Sequence, residues 1–184
     1  MPIKYIWSAV AFTIIFFMLF GNKKVRIYSV FIKQLQVFKD ARTNRLSPWD
    51  FVCFLLMPIG LSAVITFGFK AIIDDELAVV LTTVFSLVFT VLFGFAAILI
   101  GKIDSNNAIE KQVVGETFIS IVSATLLSLL SAVLSIIITK IECAVALSIL
   151  SLIVYAVSFM TIMLLLLITK RTFIVYCNST DKSN

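Results

Sequence analysis

Five long apolar stretches occupy most of this chain, and each suits hydrocarbon better than water as its surroundings. They run 5–20, 51–73, 77–100, 118–138 and 143–168. A segment inside a bilayer must satisfy its own backbone N–H and C=O groups, and a helix of ~20 apolar residues does so. The sequence therefore reads as an all-α, polytopic helical membrane protein. It forms a single membrane domain over 1–184, with five transmembrane helices, or four if the first stretch falls short. At ~1.5 Å per residue, 5–20 is about 24 Å long against a hydrocarbon core of ~30 Å. Bilayer thinning or close packing must then accommodate it. Gly21-Asn22-Lys23-Lys24 follows this stretch in place of a small-residue cleavage pattern, so it is expected to be a retained helix. Composition agrees. With 61% of 184 residues hydrophobic, too few polar side chains remain to give five helices a water-facing surface.

Charge sets the expected orientation. The segment 21–50 carries Lys23, Lys24, Arg26, Lys33, Lys39, Arg42 and Arg45, and loops rich in Lys and Arg stay in the cytoplasm. Alternation then puts the N-terminus outside, 104–116 inside and the C-terminus in the cytoplasm. Of fifteen Lys and Arg residues, only Lys4, Lys70 and Lys140 fall outside, leaving twelve inside. The expected location is a bacterial inner membrane.

Within 21–50, Val25, Tyr28, Phe31, Ile32, Leu35 and Phe38 recur at helical spacing, with Lys24, Lys33 and Lys39 off that stripe. This is the pattern of a helix lying in the headgroup layer with its cations toward anionic lipid. A helix packed on the protein's own helix ends, or on a neighbouring subunit, buries the same face. Lys33, Lys39, Arg42 and Arg45 are the residues expected to meet anionic lipid or a partner. Ser47-Pro48-Trp49-Asp50 reads as a helix start, with Pro48 at the first helical position and Asp50 near the positive end of the helix. The cytoplasmic connector 104–116 carries Ser105 or Asn106 as a cap and leads into one helix from about Ala108 to Thr139. The last span is expected to run on through 172–176. Only Lys140-Ile141-Glu142 separates these two spans, which predicts a tight antiparallel hairpin.

Small and hydroxyl-bearing residues recur every four positions. Span three carries Thr82, Ser86, Thr90 and Gly94; span four carries Ser120, Ala124, Ser128 and Ala132. In lipid, helices associate through close approach over small residues and through interhelical hydrogen bonds. Ser86, Thr90, Gly94, Ala124, Ser128 and Ala132 are therefore candidates for helix packing, for an oligomer interface or for the wall of a pore built from several copies. Pro58-Ile59-Gly60 in span two predicts a kink.

Several functions lose support from what is missing. The chain has no histidine, and its three cysteines, Cys53, Cys143 and Cys177, are scattered. That removes the commonest general base and any clustered metal-ligand set. No Asp, Glu, Lys or Arg lies mid-span, where ion-coupled transporters and voltage sensors place them. The expectation is a non-enzymatic protein with no catalytic residue, cofactor or metal.

A small multi-span chain with a basic amphipathic inner loop and a 104–116 connector running into a Ser/Ala-rich hairpin resembles the membrane subunit of Kiwa-type bacterial anti-phage systems. The likeness lies in the overall arrangement along the chain. That family is associated with four spans where this sequence has five apolar stretches, and 5–20 is where the two differ. The resemblance implies antiviral defence by an inner-membrane homo-oligomer that senses phage-induced envelope disturbance. It also implies docking of a cytoplasmic, DNA-binding protein partner on the basic loop and the connector. Direct nucleic-acid contact by this chain is not expected, because anionic lipid explains a membrane-anchored basic loop more simply. Two functions stand as expectations: a scaffold or sensor that recruits a cytoplasmic partner, and an oligomeric pore.

Overall fold

A computed structural model of the chain describes residues 27–37, 48–100, 108–141 and 143–180, and the side chains of 29–37, 48–99, 111–141 and 143–173 among them. The described residues form helices and no strand. We label them α1 (Ile27–Val37), α2 (Pro48–Gly68), α3 (Asp75–Ile100), α4 (Ala108–Ile138) and α5 (Ala144–Thr180). Four of them, α2 to α5, are long and apolar enough to cross a membrane. The expected span 5–20 lies outside the described residues, as do Lys39, Arg42, Arg45, Ser105 and Asn106.

The helix α4 is the hub. It packs against α3, α5 and α1, while α2 packs against α5. In its most apolar stretch 56% of residues are buried, against 17% in both α2 and α3. The outer helices turn large apolar side chains outward, among them Leu56, Phe67, Leu87 and Phe93. A water-soluble monomer rarely exposes so broad an apolar surface; lipid accepts it without cost.

Short loops and local caps account for the helix ends. Asp74 Oδ1 accepts a 2.8 Å bond from the Leu77 N–H, which satisfies a donor that the start of α3 would otherwise leave unpaired. Asp75 and Glu76 in the first turn suit the positive end of the helix. Between α4 and α5 the Lys140 and Ile141 N–H groups bond back to the Ile137 and Ile138 carbonyls at 3.1 Å. The two helices thus reverse in a tight hairpin, as the three-residue connection predicts.

The helix α2 is irregular on both sides of its proline. A π turn at Val52–Leu56 precedes Pro58, and a second at Val64–Gly68 ends the helix. A π turn widens the hydrogen-bonded ring by one residue and relieves a strained ladder. Pro58, where the sequence predicts a kink, lies between the two π turns and is buried. Beyond the second π turn Lys70 adopts φ 53°, a left-handed position usually held by glycine. Its neighbours tie the turn down: the Phe69 N–H bonds Val64 O at 3.0 Å, and the Ala71 N–H bonds Ile65 O at 3.2 Å. The following loop is anchored across the bundle by the Ile73 N–H donating to Ser151 Oγ on α5 at 3.2 Å.

The core divides into two apolar clusters. One holds Leu92, Ile121, Ala124, Leu127, Val157, Leu164 and Ile168; the other holds Ile73, Ala78, Leu134, Ile138, Leu150 and Val154. Between them on α4 and α5 lie Ser128, Ser131, Ser158 and Thr161, all buried. Most of these hydroxyls return their proton to their own helix: Ser128 to Thr125 O, Ser158 to Val154 O, Thr161 to Val157 O. Ser131 and Ser158 also meet across the seam at 3.2 Å. Because the Ser158 proton is placed on Val154 O at 2.7 Å, Ser131 is the donor in that contact. Such a bond between membrane helices contributes about 0.6 kcal/mol. Small size, which lets the helices approach, matters as much.

Candidate functional site

The polar construction of the described chain gathers at one end of the bundle, where α2 begins, α4 begins and α5 leaves the apolar layer. Glu116 on α4 faces Arg171 on α5, with Oε2 to Nη2 at 3.5 Å. Gln112, one turn earlier on α4, donates from Nε2 to Glu116 Oε1 at 3.0 Å. Asp50, in the first turn of α2, acts electrostatically on the same guanidinium. Arg171 Nη1 is buried and has no hydrogen-bond partner. The starts of α2 and α4 and the far part of α5 are thereby drawn together by charge.

The helix α1 lies on α4. The stripe Tyr28, Phe31, Ile32, Leu35 was the face predicted to be covered. In the structure Gln34 is buried at 5% exposure, while Ile32 and Leu35 are exposed, and the residues turned inward are Val30, Phe31, Gln34 and Val37. Apolar side chains gain nothing by leaving lipid for protein, so a membrane helix is free to turn a polar residue inward. The segment 27–37 packs on α4.

A cavity of about 260 Å³ lies between α1, the first turns of α2, and α4 and α5. Phe31, Phe54, Leu127, Met160 and Leu164 form much of its wall, and Gln34 and Ser123 also line it. Both Gln34 polar atoms and Ser123 Oγ are buried without a hydrogen-bond partner. Neither residue was singled out from the sequence. Gln34 looked like one more polar residue in a basic loop; its spacing of three from Phe31 was the available signal. Ser123 lay one position off the four-residue stripe.

The residues predicted from sequence separate into groups. Lys33 is exposed on α1, on the side away from Gln34. Ala124, Ser128 and Ala132 are buried in the bundle. Ser86, Thr90 and Gly94 are exposed along α3, and a Cβ added at Gly94 would meet nothing within 4 Å. Thr90 spends its proton on Ser86 O at 2.9 Å. The two stripes look alike in sequence, yet one is spent inside the chain and the other faces outward.

Among the described residues no group of three His, Cys, Asp or Glu could hold a metal ion. Cys53 and Cys143 are free and half-buried. No protein-family model, curated protein or solved structure matches the chain, so what the site can do is argued from its own chemistry. It offers an apolar chamber at one end of the bundle, near a charged cluster.

Proposed function

We propose that this chain is a non-enzymatic, oligomeric inner-membrane scaffold or sensor that recruits a cytoplasmic partner. The observation that carries the reading is the length of α5. Its 37 residues reach about 55 Å at ~1.5 Å per residue, against a hydrocarbon core of ~30 Å. By the rule that basic segments stay inside, the surplus emerges into the cytoplasm at the same end of the bundle as the Glu116–Arg171 pair. A rigid helix rising from the bilayer is a docking surface; among the described residues the opposite end has only short turns. The resemblance to Kiwa-type membrane subunits extends the proposal to anti-phage defence with a DNA-binding partner. The outward stripe Ser86, Thr90 and Gly94 supports self-association, because small residues are what membrane helices use to approach closely.

The test is recovery of a defined cytoplasmic protein with the full chain after mild solubilisation. One variant neutralises Lys39, Arg42 and Arg45, and a second stops after Thr172. Both are expected to insert normally and to lose the partner. Equal recovery from all three overturns the proposal. Cysteine placed at position 42 is expected to label from the cytoplasm alone.

A pore is the second reading, and the same α3 stripe is what favours it. The hydroxyls between α4 and α5 are buried inside the chain, whereas Ser86 and Thr90 are exposed on α3, where they could line a path between copies. Reconstituted liposomes would then leak ions, with Ser86→Leu reducing the leak. Vesicles that stay tight end this reading.

A further inference from the structure

The helix α2 is held along only part of its length. It packs against α5 and against no other described helix. From Pro58 onward every fourth residue, Pro58, Ser62 and Thr66, is buried. The loop beyond is pinned by the Ile73 N–H on Ser151 Oγ at 3.2 Å. Before Pro58 the helix is loose. Neither Pro48–Phe51 nor the π turn Val52–Leu56 has a buried residue, and the backbone of Pro48–Phe51 approaches none of the other described helices. The boundary between the two parts is a weak joint. The π turn interrupts the regular ladder, and Pro58 just after it has no N–H to donate. Sharp bends in helices fall at such places.

Beside the loose part lies the cavity of about 260 Å³, with Phe51, Phe54 and Leu55 as its wall on the α2 side and Phe31, Leu127 and Leu164 supplying much of the rest. Close-packed interiors leave few voids larger than a water molecule, and side chains lining a void forgo the contacts they would otherwise make. We propose that residues 48–56 form a strap that closes onto the cavity, turning on the π turn while 57–68 stays seated on α5. The position in the structure is the outward one. Asp50 rides on the strap and acts electrostatically on Arg171 of α5, an attraction that favours the outward position. Closure brings Phe51 and Phe54 toward Phe31 and Leu127 and makes contacts that the space now withholds. It also moves Asp50 relative to Arg171, which stands where α5 leaves the apolar layer. A change in the lipid around the exposed Trp49 and Leu56 is thereby passed to the extension of α5. The inference rests on α2 to α5 lying in a bilayer. It needs no cytoplasmic partner, so it stands or fails separately from the recruitment reading.

Distances between spin labels on the full chain in phospholipid nanodiscs, read by pulsed electron paramagnetic resonance, test it. Cys53, Cys143 and Cys177 are first replaced by alanine. One label pair uses Trp49→Cys on the strap and Lys33→Cys on α1; a control pair uses Leu61→Cys on the seated part with the same Lys33→Cys. The Trp49–Lys33 pair is expected to show two distances. The shorter should differ by about 6 Å, the edge of a cube of the cavity's volume once it closes to interior density. The Leu61–Lys33 pair should show one distance. Asp50→Asn should raise the share of the shorter distance about two- to fivefold, the worth of a partly exposed charge contact. Leu127→Trp, which fills the space, should abolish it. Ser123→Leu serves as the filling variant if Leu127→Trp does not fold, as judged by thermal unfolding. A single Trp49–Lys33 distance in both the parent chain and Asp50→Asn overturns the proposal, as does a shorter distance that persists in a folded filling variant. A Leu61–Lys33 distance that splits in step with the first pair overturns the pivot at the π turn. An unchanged share in Asp50→Asn overturns the part given to Asp50.

Discussion

The seam between α4 and α5 and the cavity under α1 are built from the same materials, small polar groups set among Leu, Ile and Phe, yet they end in opposite states. In the seam nearly every proton has a destination. Ser128, Ser158 and Thr161 give theirs to carbonyls of their own helix, and Ser131 gives its proton to Ser158. At the cavity wall Gln34 and Ser123 have no destination. For Gln34 the difference lies in reach. A serine or threonine in a helix finds the carbonyl three or four residues back without help from its neighbours. Gln34 has a longer side chain and cannot settle its amide so locally. Unmade hydrogen bonds in a membrane core are expensive.

Four measurements would break or sharpen that contrast, all read as unfolding free energy of detergent-solubilised protein by tryptophan fluorescence. The largest effect is expected from Ser131→Leu, where the seam has no spare volume; overpacking costs about 1–3 kcal/mol. Ser123→Leu, with the cavity beside it, is expected to be tolerated, and equal losses for the two would end the contrast. Next, Gln34→Met should stabilise the protein by about 1–2 kcal/mol, because it removes two buried unpaired groups. Loss of stability on this change would mean that Gln34 has a partner. Third, Ser131→Ala should cost about 0.6 kcal/mol, the size of one interhelical bond in a membrane protein. A gain there would make the seam no better satisfied than the cavity. The smallest effect is expected at the rim. Glu116 and Arg171 are partly exposed, at 33% and 18% of their side chains, with one contact at 3.5 Å. A double-mutant cycle with Glu116→Gln and Arg171→Gln should give about 0.2–1 kcal/mol, falling as salt rises.

Long-range regularities were legible in the sequence, and directions of individual side chains were not. A helix from about Ala108 to Thr139 was expected, and α4 spans Ala108–Ile138. The last span was expected to run on through 172–176, and α5 reaches Thr180. Neither helix contains a proline to end it, and Gly115 is accommodated inside α4. Which face of a helix meets protein is harder to read. In water, the apolar face of α1 would have to turn inward. In lipid that constraint vanishes, and Ile32 and Leu35 face out while Gln34 faces in. The α3 and α4 stripes failed to separate for the same reason. A serine every fourth residue permits close packing without saying whether the neighbour lies in the same chain. Gln34 and Ser123 were overlooked because a missing partner is a property of the folded neighbourhood, absent from any local pattern.

The two π turns of α2 carry a consequence for how this chain tolerates insertion and deletion. Each adds one residue to a turn, and one residue is about 100° of rotation in a regular helix. Removing a single residue from Val52–Leu56 would let the ladder close as an ordinary α-helix while the residues on either side kept nearly the same facing, because the wider turn had absorbed the extra one. A one-codon loss here would thus be taken up within the turn, whereas the same loss in the regular helix α4 would rotate one half of it against the other by about 100°.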